Sequence, residues 1–115
     1  MSLVIYHNPR CSKSRQTLAL LEEQGHSPKV VEYLKTPPTS DELKQILSKL
    51  GAKARDIIRV KEAEYKESGL DNANLSEQEV VTLMAANPKV IERPIVVNGD
   101  KAAVGRPPEN VLDIL

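Results

Sequence analysis

Phenylalanine and tryptophan are absent from these 115 residues, and tyrosine occurs three times. The core must therefore be aliphatic, and no aromatic platform exists on which unpaired bases could stack. Net charge is missing too. The 16 Lys and Arg residues balance 16 Asp and Glu, which argues against a protein dedicated to nucleic acid or to an anionic membrane surface. No apolar run approaches the ~20 residues of a membrane span, so no membrane association is expected. The apolar start reads as a strand, too short for a signal peptide. A single cysteine, Cys11, excludes an internal disulfide and fits a reducing cytoplasmic setting. Two histidines and one cysteine without ligand spacing leave no metal site to expect.

The length suits one domain, 1–115, with a modest core. Leu3–Tyr6 reads as a strand ended by His7-Asn8-Pro9, and Ser12–Gln24 as a helix with Leu18 and Leu21 on its apolar face and Gly25 as its cap. Lys29–Leu34 supplies a second strand, which predicts a βαβ unit with a parallel pair. Pro37-Pro38 breaks the chain. Thr39 with Glu42 and Ser76 with Glu79 are capping boxes, opening helices that run to Leu50 and to about Ala86. Shorter helical pieces are expected over 53–59 and 61–68. Ile95–Val97 and Lys101–Val104 form a hairpin signalled by Asn98-Gly99, and Pro107-Pro108 introduces a last helix. The expected class is α/β: a thioredoxin-like mixed sheet ordered β-α-β, helical insertion at about 39–88, then β-β-α.

The chemistry concentrates in HNPRCSKSR, residues 7–15. This segment joins the first strand to the first helix, where α/β sheets place ligands. Cys11 stands at or just before the helix start, where free N–H groups and roughly half a positive charge favour a thiolate and a bound anion. A free cysteine is only about 3% thiolate at neutral pH. Lowering its pKa by two units needs ~2.7 kcal/mol, more than the ~0.3–2 kcal/mol a helix end supplies. A second contributor is required, and His7, Ser14, Arg10 and Arg15 are the nearby candidates. Ser14, three residues on, is expected to turn its hydroxyl toward the sulfur, and Asn8 to turn the loop. Protein-phosphatase loops carry arginine six positions after their cysteine. Here that position is Thr17, which excludes that phosphate loop.

The segment resembles the active-site loop of the glutaredoxin-linked arsenate reductases, HNPxCxxSR. ERPIVV at 92–97, VGRPPENVLDIL at 104–115 and TPPTSDELKQIL with Arg59 resemble the same family, so the likeness covers nearly the whole chain. Arg10 and Lys13 bring charge where its best-known members have small or apolar residues, and RCSKSR resembles a sister group. The resemblance implies a thioredoxin-like fold whose cysteine attacks arsenate and forms a covalent thiol–arsenate adduct. Glutathione, a co-substrate rather than a bound cofactor, joins the adduct; glutaredoxin reduces it; arsenite leaves. It also implies that three arginines, Arg59, Arg93 and Arg106, hold the oxyanion, and that the Arg93–Pro94 bond is cis and sets Arg93 beside Cys11.

Several guanidinium groups suit a dianion, since each offers a planar fork to two oxygens. Arg93 and Arg106 each precede a proline, which restrains and aims them. A lone cysteine requires outside thiols to resolve any adduct. Two other readings stay open: a glutathione-dependent oxidoreductase acting on protein mixed disulfides, and a regulator resembling the Spx proteins. The Spx proteins typically carry a CxxC switch where this chain has Cys11 and Ser14.

Overall fold

Period-two alternation sets the first strand. β1 (Leu3–His7) buries Ile5 and His7 on one face. The structure, a computed structural model, describes residues 3–115. Two units divide the chain: the residues up to Thr36 together with Arg93–Leu115, and Pro37–Glu92.

In the first unit β1 is followed by α1 (Ser12–Glu23) and β2 (Lys29–Glu32). Two further strands, β3 (Ile95–Asn98) and β4 (Lys101–Val104), complete a four-stranded sheet ordered β2-β1-β3-β4. β1 runs parallel to β2, with His7 opposite Glu32, and antiparallel to β3, with Tyr6 opposite Ile95. The mixed α/β sheet is the thioredoxin-like arrangement expected. Ser14, Thr17 and Leu21 form the buried stripe of α1, so its first turns present hydroxyls inward rather than the wholly apolar face the leucines suggest. The helix stops at Gly25 (φ 85°), where the N–H groups of Gly25 and His26 bond to the carbonyls of Glu22 and Leu21. The core gathers Ile5, Leu21, Val96 and Val111, with Leu3, Leu18 and Ile114 packed on it.

The hairpin falls one residue later than Asn98-Gly99 suggests. Asn98 pairs with Lys101 inside the ladder, and Gly99 (φ 62°) with Asp100 makes the two-residue loop. The C-terminal segment is a 3₁₀ helix, Pro108–Ile114, not an α-helix. Pro107 and Pro108 offer no N–H to start a ladder, and the Asn110 N–H bonds back three residues to Pro107. The Asn98 side chain anchors its far end by donating to the Ile114 carbonyl at 2.6 Å.

In the second unit both capping boxes close. Glu42 N–H donates to Thr39 Oγ1 at 3.1 Å and Thr39 N–H to Glu42 Oε1 at 3.0 Å, opening α2 (Ser40–Leu50). Ser76 and Glu79 do the same for α4 (Glu77–Ala86). Between them lie a 3₁₀ turn, Ala54–Ile57, and the short α3 (Ala63–Glu67); another 3₁₀ turn, Pro88–Val90, follows α4. Leu43, Ile46, Leu47, Leu70, Val80, Val81 and Met84 are buried. Arg55 donates to the carbonyls of Leu70 and Asn72 at 2.8 and 2.7 Å. Among the described residues no helix is long and apolar enough to cross a membrane.

Candidate active site

The loop between β1 and α1 is closed by its own polar groups. Asn8 Oδ1 accepts from the Arg10 N–H at 3.0 Å, an Asx turn, and the Asn8 carbonyl accepts from the Cys11 N–H at 3.0 Å. Cys11 takes extended backbone angles (φ −93°, ψ 124°) at the N-cap of α1, and the Arg15 N–H donates to its carbonyl at 3.0 Å. The Arg15 guanidinium folds back to the Pro9 carbonyl at 2.9 Å. That bond makes Arg15 a clamp on the loop.

Strand alternation and the buried stripe of α1 bring His7 and Ser14 together. Ser14 Oγ lies 2.6 Å from His7 Nδ1 and accepts from the Asn8 N–H at 3.0 Å. Burial lowers the His7 pKa; Glu32 raises it in part, and Arg15 lowers it again. The neutral ring is favoured, and Ser14 Oγ and His7 Nδ1 share one hydrogen bond whose donor is set by the ring tautomer. The Ser14 hydroxyl is thus committed to His7 and Asn8, and His7 meets Ser14 Oγ. Ser14 acts on the sulfur through its backbone instead.

Burial alone would push the Cys11 thiol up. The Ser14 backbone N–H, the Arg93 charge, the Lys13 backbone N–H and a hydrogen bond from the Arg93 side chain outweigh it, and the pKa falls below the ordinary cysteine value. Cys11 is partly exposed and free. Its sulfur holds the place of an N-cap oxygen, at the end of the helix that favours negative charge.

Two guanidinium groups converge on it from the β3–β4 side. Arg93 stands just before β3, and Arg106 just after β4. Arg106 Nε donates to the Arg93 carbonyl at 3.0 Å, while its Nη2 lies 3.9 Å from Cys11 Sγ. The Arg93–Pro94 bond is cis, as expected, and Arg106–Pro107 is cis as well. Arg59 lies in the second unit, where its Nη1 pairs with Glu62 at 2.9 Å.

Gly105 and Thr17 also position the site, and the sequence reading missed both. The Gly105 N–H donates to the Pro94 carbonyl at 2.9 Å, joining the two Arg-Pro segments. A Cβ on Gly105 would stand 2.5 Å from Thr17 Oγ1 and 2.8 Å from Pro94 Cγ. Only glycine lets the turn that carries Arg106 lie this close to α1. The available signal was a glycine at a strand end, directly before an Arg-Pro pair.

Among the described residues no group of three His, Cys, Asp or Glu side chains could hold a metal ion. What remains is a partly exposed, acidified thiol facing two guanidiniums, a combination that suits nucleophilic attack on an anion.

Comparison with known proteins agrees with that chemistry. The model of the ArsC family matches residues 6–114. An arsenate reductase of Neisseria meningitidis is 55% identical over 112 residues, covering 96% of each chain. One of Haemophilus influenzae is 51% identical over 116 residues, covering all of both. A solved structure titled arsenate reductase from Vibrio cholerae superposes with a TM-score of 0.95 at 54% identity, covering 100% of this chain and 98% of that one. This chain belongs to the ArsC family.

Proposed function

We propose that this protein reduces arsenate to arsenite, with Cys11 as nucleophile and glutathione and glutaredoxin as the source of electrons. The observation that carries the reading is the acidified Cys11 sulfur with Arg106 Nη2 at 3.9 Å and the Arg93 charge beside it. The thiolate supplies the attacking electron pair. The guanidiniums hold the oxyanion and neutralise charge that grows on its oxygens. The family name and the named relatives support arsenate as the anion.

Cys11 sulfur bonds to arsenic(V), and one oxygen leaves as water. Glutathione's sulfur then bonds to arsenic, and a second oxygen leaves as water. A glutaredoxin thiolate attacks the glutathione sulfur. The As–S pair stays on arsenic, reducing it to arsenic(III), and a glutaredoxin–glutathione disulfide departs. Water finally replaces Cys11 on arsenic, releasing arsenite and the thiol. Both reductants belong to a reducing pool, which suits the cytoplasm.

Arg59 joins Arg93 and Arg106 in this proposal on the family pattern alone, and Arg59→Ala tests it through the KM for arsenate. The mixed-disulfide reading would leave the paired guanidiniums without an anion to hold. The regulatory reading needs a second sulfur where Ser14 stands.

The test is NADPH oxidation by the protein with arsenate, glutathione, glutaredoxin and glutathione reductase. Arsenate-dependent turnover that vanishes in Cys11→Ser is expected. Turnover that survives the substitution, or that requires a mixed disulfide in place of arsenate, would overturn the reading.

A further inference from the structure

A cavity of about 300 Å³ opens on the other flank of the Cys11 loop, lined by His7, Asn8, Pro9, Arg10, Glu32, Leu34 and Lys35. The strand order places it. β3 and β4, which flank Arg93 and Arg106, lie on one side of β1, and β2, which leads into Leu34 and Lys35, lies on the other. The cavity wall runs along the loop to Arg10, the residue directly before Cys11.

We propose that this cavity seats glutathione as it approaches the arsenic held on Cys11; the proposal rests on the arsenate-reductase reading given above. The chemistry asks for two entries. The guanidinium side is filled by the oxyanion, so the second thiol must reach arsenic, and displace an oxygen as water, from another direction. The volume lies at the small end of ligand pockets, which suits a tripeptide.

Charge selects the occupant. Arg10 and Lys35 offer two cations, and Glu32 one carboxylate, around a mostly apolar wall that includes Leu34 and Pro9. At neutral pH glutathione carries two carboxylates and one ammonium, the complementary set. The Glu32–Lys35 ion pair is loose, at 3.5 Å with the lysine 79% exposed. Both partners can exchange each other for ligand groups at little cost.

Lys35→Glu tests the seat, because so exposed a side chain can be reversed without disturbing the fold. With arsenite formation read directly, its kcat/KM for glutathione, divided by that for the uncharged thiol 2-mercaptoethanol, is expected to fall about fivefold. An unchanged ratio, alongside normal arsenate turnover by the parent protein, sinks the cavity proposal and leaves the arsenate reading intact. A second measurement needs no turnover. The unreactive analogue S-methylglutathione is titrated while backbone amide resonances are followed. Saturable shifts at residues 7–11 and 32–35, weakened in Lys35→Glu, are expected. Such binding without any arsenate reduction would reject the function and keep the seat, and shifts confined to other residues would reject the seat.

Discussion

Arg106 reaches back to Arg93: its Nε donates to the Arg93 carbonyl at 3.0 Å, which leaves its Nη2 3.9 Å from the Cys11 sulfur. One guanidinium therefore both ties the two Arg-Pro segments together and faces the nucleophile. Arg93 contributes its charge and a side-chain hydrogen bond to the same sulfur. Two cations with different anchors should separate in experiment.

Arg93→Ala is expected to weaken oxyanion binding more than tenfold, since it removes a charged hydrogen-bond donor worth ~1.5–3 kcal/mol. It should also raise the Cys11 pKa. Arsenate protection of Cys11 against alkylation reads the first effect, and the pH dependence of alkylation in the absence of arsenate reads the second. Equal affinity in parent and variant would remove Arg93 from the site.

Gly105→Ala should destabilise the fold by ~1–3 kcal/mol, the usual cost of forcing extra volume into a packed contact. The new Cβ meets the Thr17 side chain at 2.5 Å and Pro94 at 2.8 Å. For a domain near this size each kcal/mol lowers Tm by roughly 4–8 °C. Thr17→Ala in the same chain should recover part of the loss by removing the nearest atoms. A Tm unchanged by Gly105→Ala would show that the contact tolerates a methyl group.

How legible was this site in the sequence? Local rules carried well. The Thr39–Glu42 and Ser76–Glu79 boxes formed because each needs only residues three apart. The His7–Arg15 loop announced itself by composition. Long-range fits did not. Thr17 meets Gly105 across 88 positions, and no local pattern pairs them. The hairpin register moved by one because Asn98 is held in the ladder, opposite both Leu3 and Lys101. The Ser14 hydroxyl was expected at the sulfur on helical spacing alone. That spacing ignores His7, which strand alternation brings to the same hydroxyl.

Ser14→Ala separates those two views. It leaves the His7 ring and the Asn8 N–H without their partner in a largely buried place, a loss of about 1–3 kcal/mol. The backbone N–H that lowers the Cys11 pKa is kept. Thermal melts should show lower stability while the alkylation pKa of Cys11 stays near that of the parent. A large rise in that pKa would return the hydroxyl to the sulfur.

His7 makes stability depend on pH. Burial depresses its folded-state pKa, so the unfolded chain binds the proton more readily. The stabilisation is present above the usual histidine value of about 6.5 and is lost as pH falls from there through the lowered folded-state pKa. The parent should lose more Tm than His7→Gln between neutral and mildly acidic pH. Parallel losses in the two proteins would show that His7 titrates as it does in water.

The most direct measurement is the titration of Cys11 itself, by the pH dependence of its alkylation rate in the free protein, with thiolate ultraviolet absorbance as a second probe. A midpoint below that of an ordinary cysteine, moving upward in Arg93→Ala, is the expected result. A midpoint at or above that of an ordinary cysteine in the parent protein would contradict the account, because the sulfur would then be an unactivated thiol rather than a prepared nucleophile.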